Sequence, residues 1–298
     1  MNASDNPRPV DADSAEHAGN SLGSRSAESR LNVVVVLLQT LGLVMVAVLG
    51  VAAWMLAPIL AQAPQGATPQ EPAAQSAAPI DLTGYWVSIV SKDWRWRMVT
   101  PAKGDYASVP LNEAAKKVAD AWDPAKDEAA GLQCKGYGAP ALMRIPGRLH
   151  ITWQDPTALK VETDAGTQVR LLRFTTTTAQ TPLTTTRTQS ARTWQGQSVA
   201  LWQLAGGRGR GPVGGSLKVV TTNLRPGYLR KNGVPYSENT TVTEFWDLFK
   251  EPNGEEWITI TTVVEDPVYL TRSWENSLEF KKEPDGSKWD PTPCSAAW

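Results

Sequence analysis

The side chains of this chain best suited to chemistry crowd into residues Asn223–Thr241 (NLRPGYLRKNGVPYSENTT), which carry Arg225, Tyr228, Arg230, Lys231, Tyr236 and Glu238, with Glu244 just beyond. Arginine offers a planar fork for a carboxylate, and tyrosine and glutamate can exchange protons with a bound molecule. The segment lies between two strong strand patterns, and loops held by a rigid scaffold are where binding groups gather. A well-solvated turn would have the same composition. A second group, Asp93-Trp94-Arg95-Trp96-Arg97, alternates aromatic and basic residues. Read as a strand, it puts the indoles on one face and the guanidinium groups on the other. That pattern serves core packing beneath a solvated face, or a pocket wall with cation–π or stacking contacts. The two groups predict one small-molecule pocket bordered by Trp94, Trp96, Arg225, Tyr228, Arg230, Tyr236 and Glu238.

Other chemistries find little support in the residues. The chain has two histidines; His17 lies far from the strand-rich part, so His150 would have to serve any triad or metal site alone. On a strand pattern it reads as a surface or hydrogen-bonded structural histidine. Gly196-Gln197-Ser198 lacks the final glycine of a nucleophile elbow, because Ala200 stands there inside a strand pattern. The Gly/Arg-rich segment Ala205–Gly215 leads into a strand, whereas a phosphate cradle leads into a helix. It is expected as a hairpin tip. No metal site and no cofactor motif is read, and a net charge of −1 gives no general case for nucleic acid as a partner.

These residues must be placed by something, and the compartment comes first. From Val33 to Leu60 the chain is free of charge, with only Gln39 and Thr40 as polar interruptions, and Ala61-Gln62-Ala63 comes directly after. About 20 apolar residues cross a bilayer as a helix. The run therefore predicts either an uncleaved transmembrane anchor or a signal helix cleaved after Ala63, and both export the remainder of the chain. Arg25 and Arg30 favour an inside N-terminus. The expected organisation is a disordered leader at 1–30, an anchor or signal helix at 31–60, an Ala/Pro/Gln-rich linker at 61–79 and a β domain at 80–298. A bacterial cell envelope, with the domain facing the periplasm or secreted, is the expected location. In an oxidising compartment Cys134 and Cys294, the only cysteines, are expected to be joined.

Within the domain, short alternating stretches at 81–90, 94–100, 149–153, 159–163, 167–175, 194–204, 216–222, 239–249, 256–265 and 273–282 predict strands, and Leu111–Trp122 alone has helical periodicity. Residues 175–192 read as a long loop. The fold class is mainly β: a single antiparallel β-barrel or strongly curved sheet with one short helix, preceded by the transmembrane or signal helix.

The order Cys134, Met143, Pro146, His150-Ile151, then Trp194-Gln195-Gly196-Gln197-Ser198-Val199-Ala200-Leu201-Trp202, Ser216–Thr222, Ser237-Glu238, Val242-Thr243-Glu244-Phe245 and Glu265-Asp266-Pro267 through Trp274 resembles a widespread, largely uncharacterised family of exported bacterial β proteins. Ala200 and the Gly/Arg-rich loop depart from that family's pattern. The resemblance implies fold and location and no activity. Gly84-Tyr85-Trp86 is in addition similar to the G-x-W of lipocalins and related calycin barrels. That likeness implies a tryptophan closing one barrel end beneath a basic residue from a late strand, Arg272 or Lys282.

Together these features predict an exported barrel that binds a small, partly apolar or aromatic ligand. A metal-independent lyase, isomerase or hydrolase using Tyr, Glu and Arg is a second reading. An envelope assembly or protein-interaction factor is a third. The oligomeric state is not legible.

Overall fold

Alternation of apolar and polar residues governs the described part of the chain, which in this computed structural model comprises residues 73–175, 191–206 and 214–297. The expected leader, the span at 31–60 and the start of the linker lie outside the described residues, as do 176–190 and 207–213 within the two expected loops. No helix among the described residues is long and apolar enough to cross a membrane.

The described residues form eleven strands: β1 (Gly84–Ile89), β2 (Arg148–Asp155), β3 (Ala158–Thr163), β4 (Val169–Phe174), β5 (Gln197–Leu204), β6 (Gly215–Thr222), β7 (Gly227–Arg230), β8 (Val234–Tyr236), β9 (Thr241–Lys250), β10 (Glu256–Glu265) and β11 (Trp274–Glu283). Nine of them close into a barrel in the order β1-β11-β10-β9-β6-β5-β4-β3-β2, and β7 and β8 form a separate ribbon. On β10 the side chains of Ile258, Ile260, Thr262 and Val264 are buried while those between them are wetter. This period of two turns one face of the sheet inward. Trp86, Trp246, Phe280, Ile151, Leu172 and Leu217 are all fully buried and pack together in the lumen. Lys282 Nζ lies 5.2 Å from the centroid of the Trp86 ring, so Lys282 and not Arg272 takes the position over the tryptophan.

Strand directions can alternate around a closed ring only if the strand number is even. Nine strands force an odd number of parallel pairs, and β4 and β5 make one, through Leu172↔Ser198, Arg173↔Val199 and Phe174↔Ala200. A parallel pair cannot be joined by a tight hairpin turn, and β4 ends at Phe174 while β5 begins only at Gln197. Arg170 on β4 reaches across the lumen and donates to both carboxylate oxygens of Glu244 on β9, at 3.0 and 2.6 Å, and to Thr221 Oγ1 on β6 at 3.2 Å. Both ends of this ion pair are buried to 1% exposure or less.

A second core sits at the barrel end where β6 and β10 finish and β9 and β11 begin. There Leu224, Val242, Val264 and Trp274 pack with Val109, Leu111, Ala115 and Ala139 and with Leu229, Val234 and Tyr236 of the ribbon. Helix α1 spans Glu113–Asp120, inside the expected Leu111–Trp122, because the Asn112 side chain accepts from Ala115 N and starts it. Two further helices, α2 (Pro124–Ala129) and α3 (Ala139–Leu142), are too short for periodicity to betray. Asp123 and Pro124 start α2 as cap and first residue. Cys134, in a 3₁₀ turn at Gln133–Tyr137, is bonded to Cys294 with 5.1 Å between the Cα atoms.

Two expectations are corrected. Residues 94–100 are no strand: Trp94–Trp96 form one 3₁₀ turn entered through Asp93 at φ 56°, so the indoles share no sheet face. The segment at 223–241, read as a polar loop between two strands, contains the β7–β8 ribbon, and its Arg230, Lys231, Asn232 and Ser237 are buried.

The lumen ion pair yields a test. Glu244→Ala leaves Arg170 charged and buried without its partner and is expected to cost about 3–5 kcal/mol in urea unfolding. The double change Arg170→Met with Glu244→Leu should recover most of that loss; equal losses for single and double variants would remove the ion pair from this role.

Candidate functional site

The ribbon positions the most reactive side chains. A Cβ at Gly227 would run into Lys135 O and the Tyr236 hydroxyl, and one at Gly233, where φ is +81°, would overlap the Trp122 side chain. Glycine at these two places lets β7 and β8 lie directly against the helical annex. The pairing of β7 with β8 shifts register between Tyr228 and Arg230. In a regular strand residues two apart face the same way; a bulge removes that rule. Tyr228 and Arg230 accordingly enter different surroundings, and the single pocket expected from the sequence becomes two clusters.

Tyr228 faces α2. Its hydroxyl donates to Asp127 Oδ2 at 2.8 Å, and Lys135 Nζ donates to Asp127 Oδ1 at 2.6 Å. The Lys135 ammonium also stands 5.2 Å from the Tyr228 ring centroid. Burial, and then the bond to Asp127, hold the Tyr228 phenol far above its ordinary range. It is a hydrogen-bond donor at any physiological pH. Tyr228 and Asp127 floor an open groove of about 440 Å³ whose walls are Lys117, Val118, Ala121, Trp122, Asp123 and Lys126. One wall is therefore apolar and the rim is charged.

Behind this floor lies a crevice too narrow for a water molecule, bounded by Asp127, Lys135, Tyr228, Lys231 and Ser295 among others. Lys231 Nζ donates to Tyr137 Oη at 2.6 Å, and Ser295 N donates to the same oxygen at 3.2 Å. Burial lowers the Lys231 ammonium to about 7 and raises the Tyr137 phenol. The disulfide joins the residue before Lys135 to the residue before Ser295, which fastens the two walls to each other.

Arg230 faces the other way, into a ladder of cations and indoles. Trp96 has the Arg95 and Arg230 guanidinium carbons each 4.8 Å from its ring centroid, while Trp274 has Arg144 at 5.0 Å and Arg230 at 5.9 Å. Asp105 accepts from Trp96 Nε1 at 3.0 Å and from Arg95 at 2.9 Å, and Asp93 accepts from Arg144 Nη1 at 2.8 Å. Burial, reinforced by the neighbouring Arg144 charge, lowers Arg97 and Arg230 to about 10.

The remaining expected residues disperse. Trp94 is 63% exposed. Arg225 lies 4.5 Å over the Trp194 ring, and Glu238 pairs with Arg192 at 3.1 Å. Tyr236 is buried in the second core, where its hydroxyl touches Gly138 and Gly227. Sequence reading missed Asp127, Lys135 and Trp122; the helical spacing of Val118 and Trp122 was the one local signal, and Asp127 lies 101 residues from Tyr228. His150 stacks outside the barrel on Tyr85 and bonds to Glu162, and Ser198 bonds to Thr221 within the sheet, so among the described residues neither belongs to a serine–histidine pair. Among the described residues no three His, Cys, Asp or Glu side chains converge on a metal position. No family model, no curated protein and no solved structure matches the chain.

Lys231 makes a pH prediction. Its folded value of about 7 lies below the ordinary lysine value of 10.5 that it regains on unfolding, so between those limits the unfolded chain holds the extra proton. Stability contributed by Lys231 must then rise with pH across that window. Lys231→Met is expected to gain stability relative to the parent at pH 6 and to lose that advantage toward pH 10 in urea unfolding; a pH-independent difference would remove the buried ammonium as its cause.

Proposed function

We propose that the protein binds a small, partly apolar or aromatic molecule in the groove between α1, α2 and the β7–β8 ribbon. The observation that carries the reading is the floor of that groove, where the Tyr228 hydroxyl donates to Asp127 beside Trp122 and Val118, with Lys135 bonded to Asp127 from behind. A mostly apolar concavity of a few hundred Å³ with a few fixed polar groups is the usual form of a small-molecule site. The barrel lumen is a poorer candidate, because Trp86, Trp246 and Phe280 pack together inside it.

Binding is favoured over acid–base catalysis. Tyr228 keeps its proton, and the crevice that Lys231, the side chain brought to about 7, borders is too narrow to admit water. Export is part of the same proposal. It is supported by the Cys134–Cys294 bond, a linkage that persists in oxidising compartments, and by the apolar run at 33–60. An anchor in the inner membrane with the domain in the periplasm, and kinship with exported bacterial β proteins, accord with both.

Two measurements test these claims. Indole or p-cresol titrated into the protein should change tryptophan fluorescence saturably, and Val118→Asp, at a residue 39% exposed on the groove wall, should abolish the response with an unfolding change within about 0.5 kcal/mol. An unaltered response in that variant places binding elsewhere. For location, a reporter fused after Asp81 should work only in its exported form; activity confined to a cytoplasmic reporter overturns the assignment.

A further inference from the structure

Buried arginines are normally matched by carboxylates, because an unpaired charge away from water is costly. Around Trp96 and Trp274 that balance is missing. Arg97, Arg144 and Arg230 are each exposed by 4% or less, and Arg95 adds a fourth cation at the surface. Two carboxylates, Asp93 and Asp105, face them. The indole rings attract the flat faces of the guanidinium groups but leave their N–H bonds, which lie in the guanidinium plane, unsatisfied.

The three buried arginines differ in those N–H bonds. Arg97 is fully engaged: Nε donates to Arg144 O at 2.9 Å, Nη1 approaches Ile89 O and Lys92 O, and Nη2 donates to Ser88 Oγ at 2.7 Å. It is a structural strut. Among the described residues Arg230 donates only through Nη2, to the neutral Ser108 hydroxyl at 2.8 Å, and its Nε and Nη1 meet no acceptor. Arg144 uses Nη1 on Asp93, and its Nη2 is likewise buried without an acceptor. Two neighbouring cations thus hold three unsatisfied nitrogens in one aromatic enclosure. The enclosure has a wet edge, since the Asp93 and Asp105 side chains are 31% and 22% exposed.

We infer that Arg144 and Arg230, between Trp96 and Trp274, form a second binding site, separate from the groove, for the carboxylate of a small planar organic acid. The group Arg144 already holds is a carboxylate, that of Asp93, and a charge-assisted bond of this kind is among the stronger polar contacts a site can offer. The indoles hold the two guanidinium groups by their faces, which leaves the N–H edges as the part that a carboxylate would meet. Asp93 acts as an internal competitor for Arg144 and sets the affinity.

The test uses benzoate as probe, benzamide as its neutral match and inorganic phosphate as the rival oxyanion, each titrated into the full chain at constant ionic strength in chloride buffer. Tryptophan fluorescence and thermal unfolding are read together. Benzoate should give a saturable response with benzamide at least tenfold weaker, and Arg230→Gln should abolish it. Asp93→Asn keeps a residue tolerant of positive φ and frees Arg144, so it should tighten benzoate severalfold; this variant decides the matter if Arg230→Gln does not fold. No saturable response, an equal response to benzamide, persistence in Arg230→Gln, or an unchanged affinity in Asp93→Asn overturns the site. Phosphate binding more tightly than benzoate overturns its assignment to a carboxylate.

Discussion

Closure of a ring with an odd number of strands is the constraint on which the rest of this molecule depends. One neighbouring pair must run parallel, and the β4–β5 pair that does so is joined by only three residue pairs. The seam is short because β4 and β5 belong to opposite sides of a crossover and not to a hairpin, so no tight turn sets their register. Arg170 compensates from inside. Anchored on β4, it bypasses β5 and binds β6 and β9 across the lumen, so the polar interior at this end serves the closure of the barrel.

The annex answers a different need. A two-stranded ribbon is marginal by itself, and β7–β8 survives because the second core receives its inner face. Two long-range ties then fix the chain around it. The disulfide holds the C-terminal segment against the 133–137 turn. Asp266, buried after β10, accepts from Ser237 and Thr240 at the exit of the ribbon and from the amides of Val268 and Tyr269. An acceptor with that many donors links the ribbon to the β10–β11 connection, and so to the barrel, through hydrogen bonds that add to the apolar contacts of the second core.

What the sequence disclosed depended on how local the determinant was. Strand alternation at 256–265 and 273–282 is a local property, and β10 and β11 lie where it placed them. The same alternation at 94–97 misled, because Asp93 takes a left-handed conformation and feeds a tight turn, which hydropathy does not record. Clustering of Arg, Tyr and Lys at 225–238 correctly marked a segment rich in polar contacts. Its division was hidden in one register shift between Tyr228 and Arg230, and its partners Asp127, Lys135 and Arg144 come from far along the chain. Helices of four and six residues carry too few positions to show a face.

That register shift also explains how one strand of four residues can serve two chemically different surroundings. Tyr228 is directed to an acidic residue and a lysine, and Arg230 to a stack in which positive charge is in excess. Without the bulge both side chains would lie on one face, and the Arg230 charge would sit beside Lys135 and Asp127 where the Tyr228 hydroxyl now donates. Separation lets the groove keep a neutral donor over an ion pair while the ladder keeps its unneutralised cations among indoles. Both arrangements rest on the same close approaches, Trp122 against Gly233 and the Lys135 carbonyl against Gly227. A side chain added at either glycine would push the ribbon off the annex, and the groove floor and the arginine ladder would lose their geometry together.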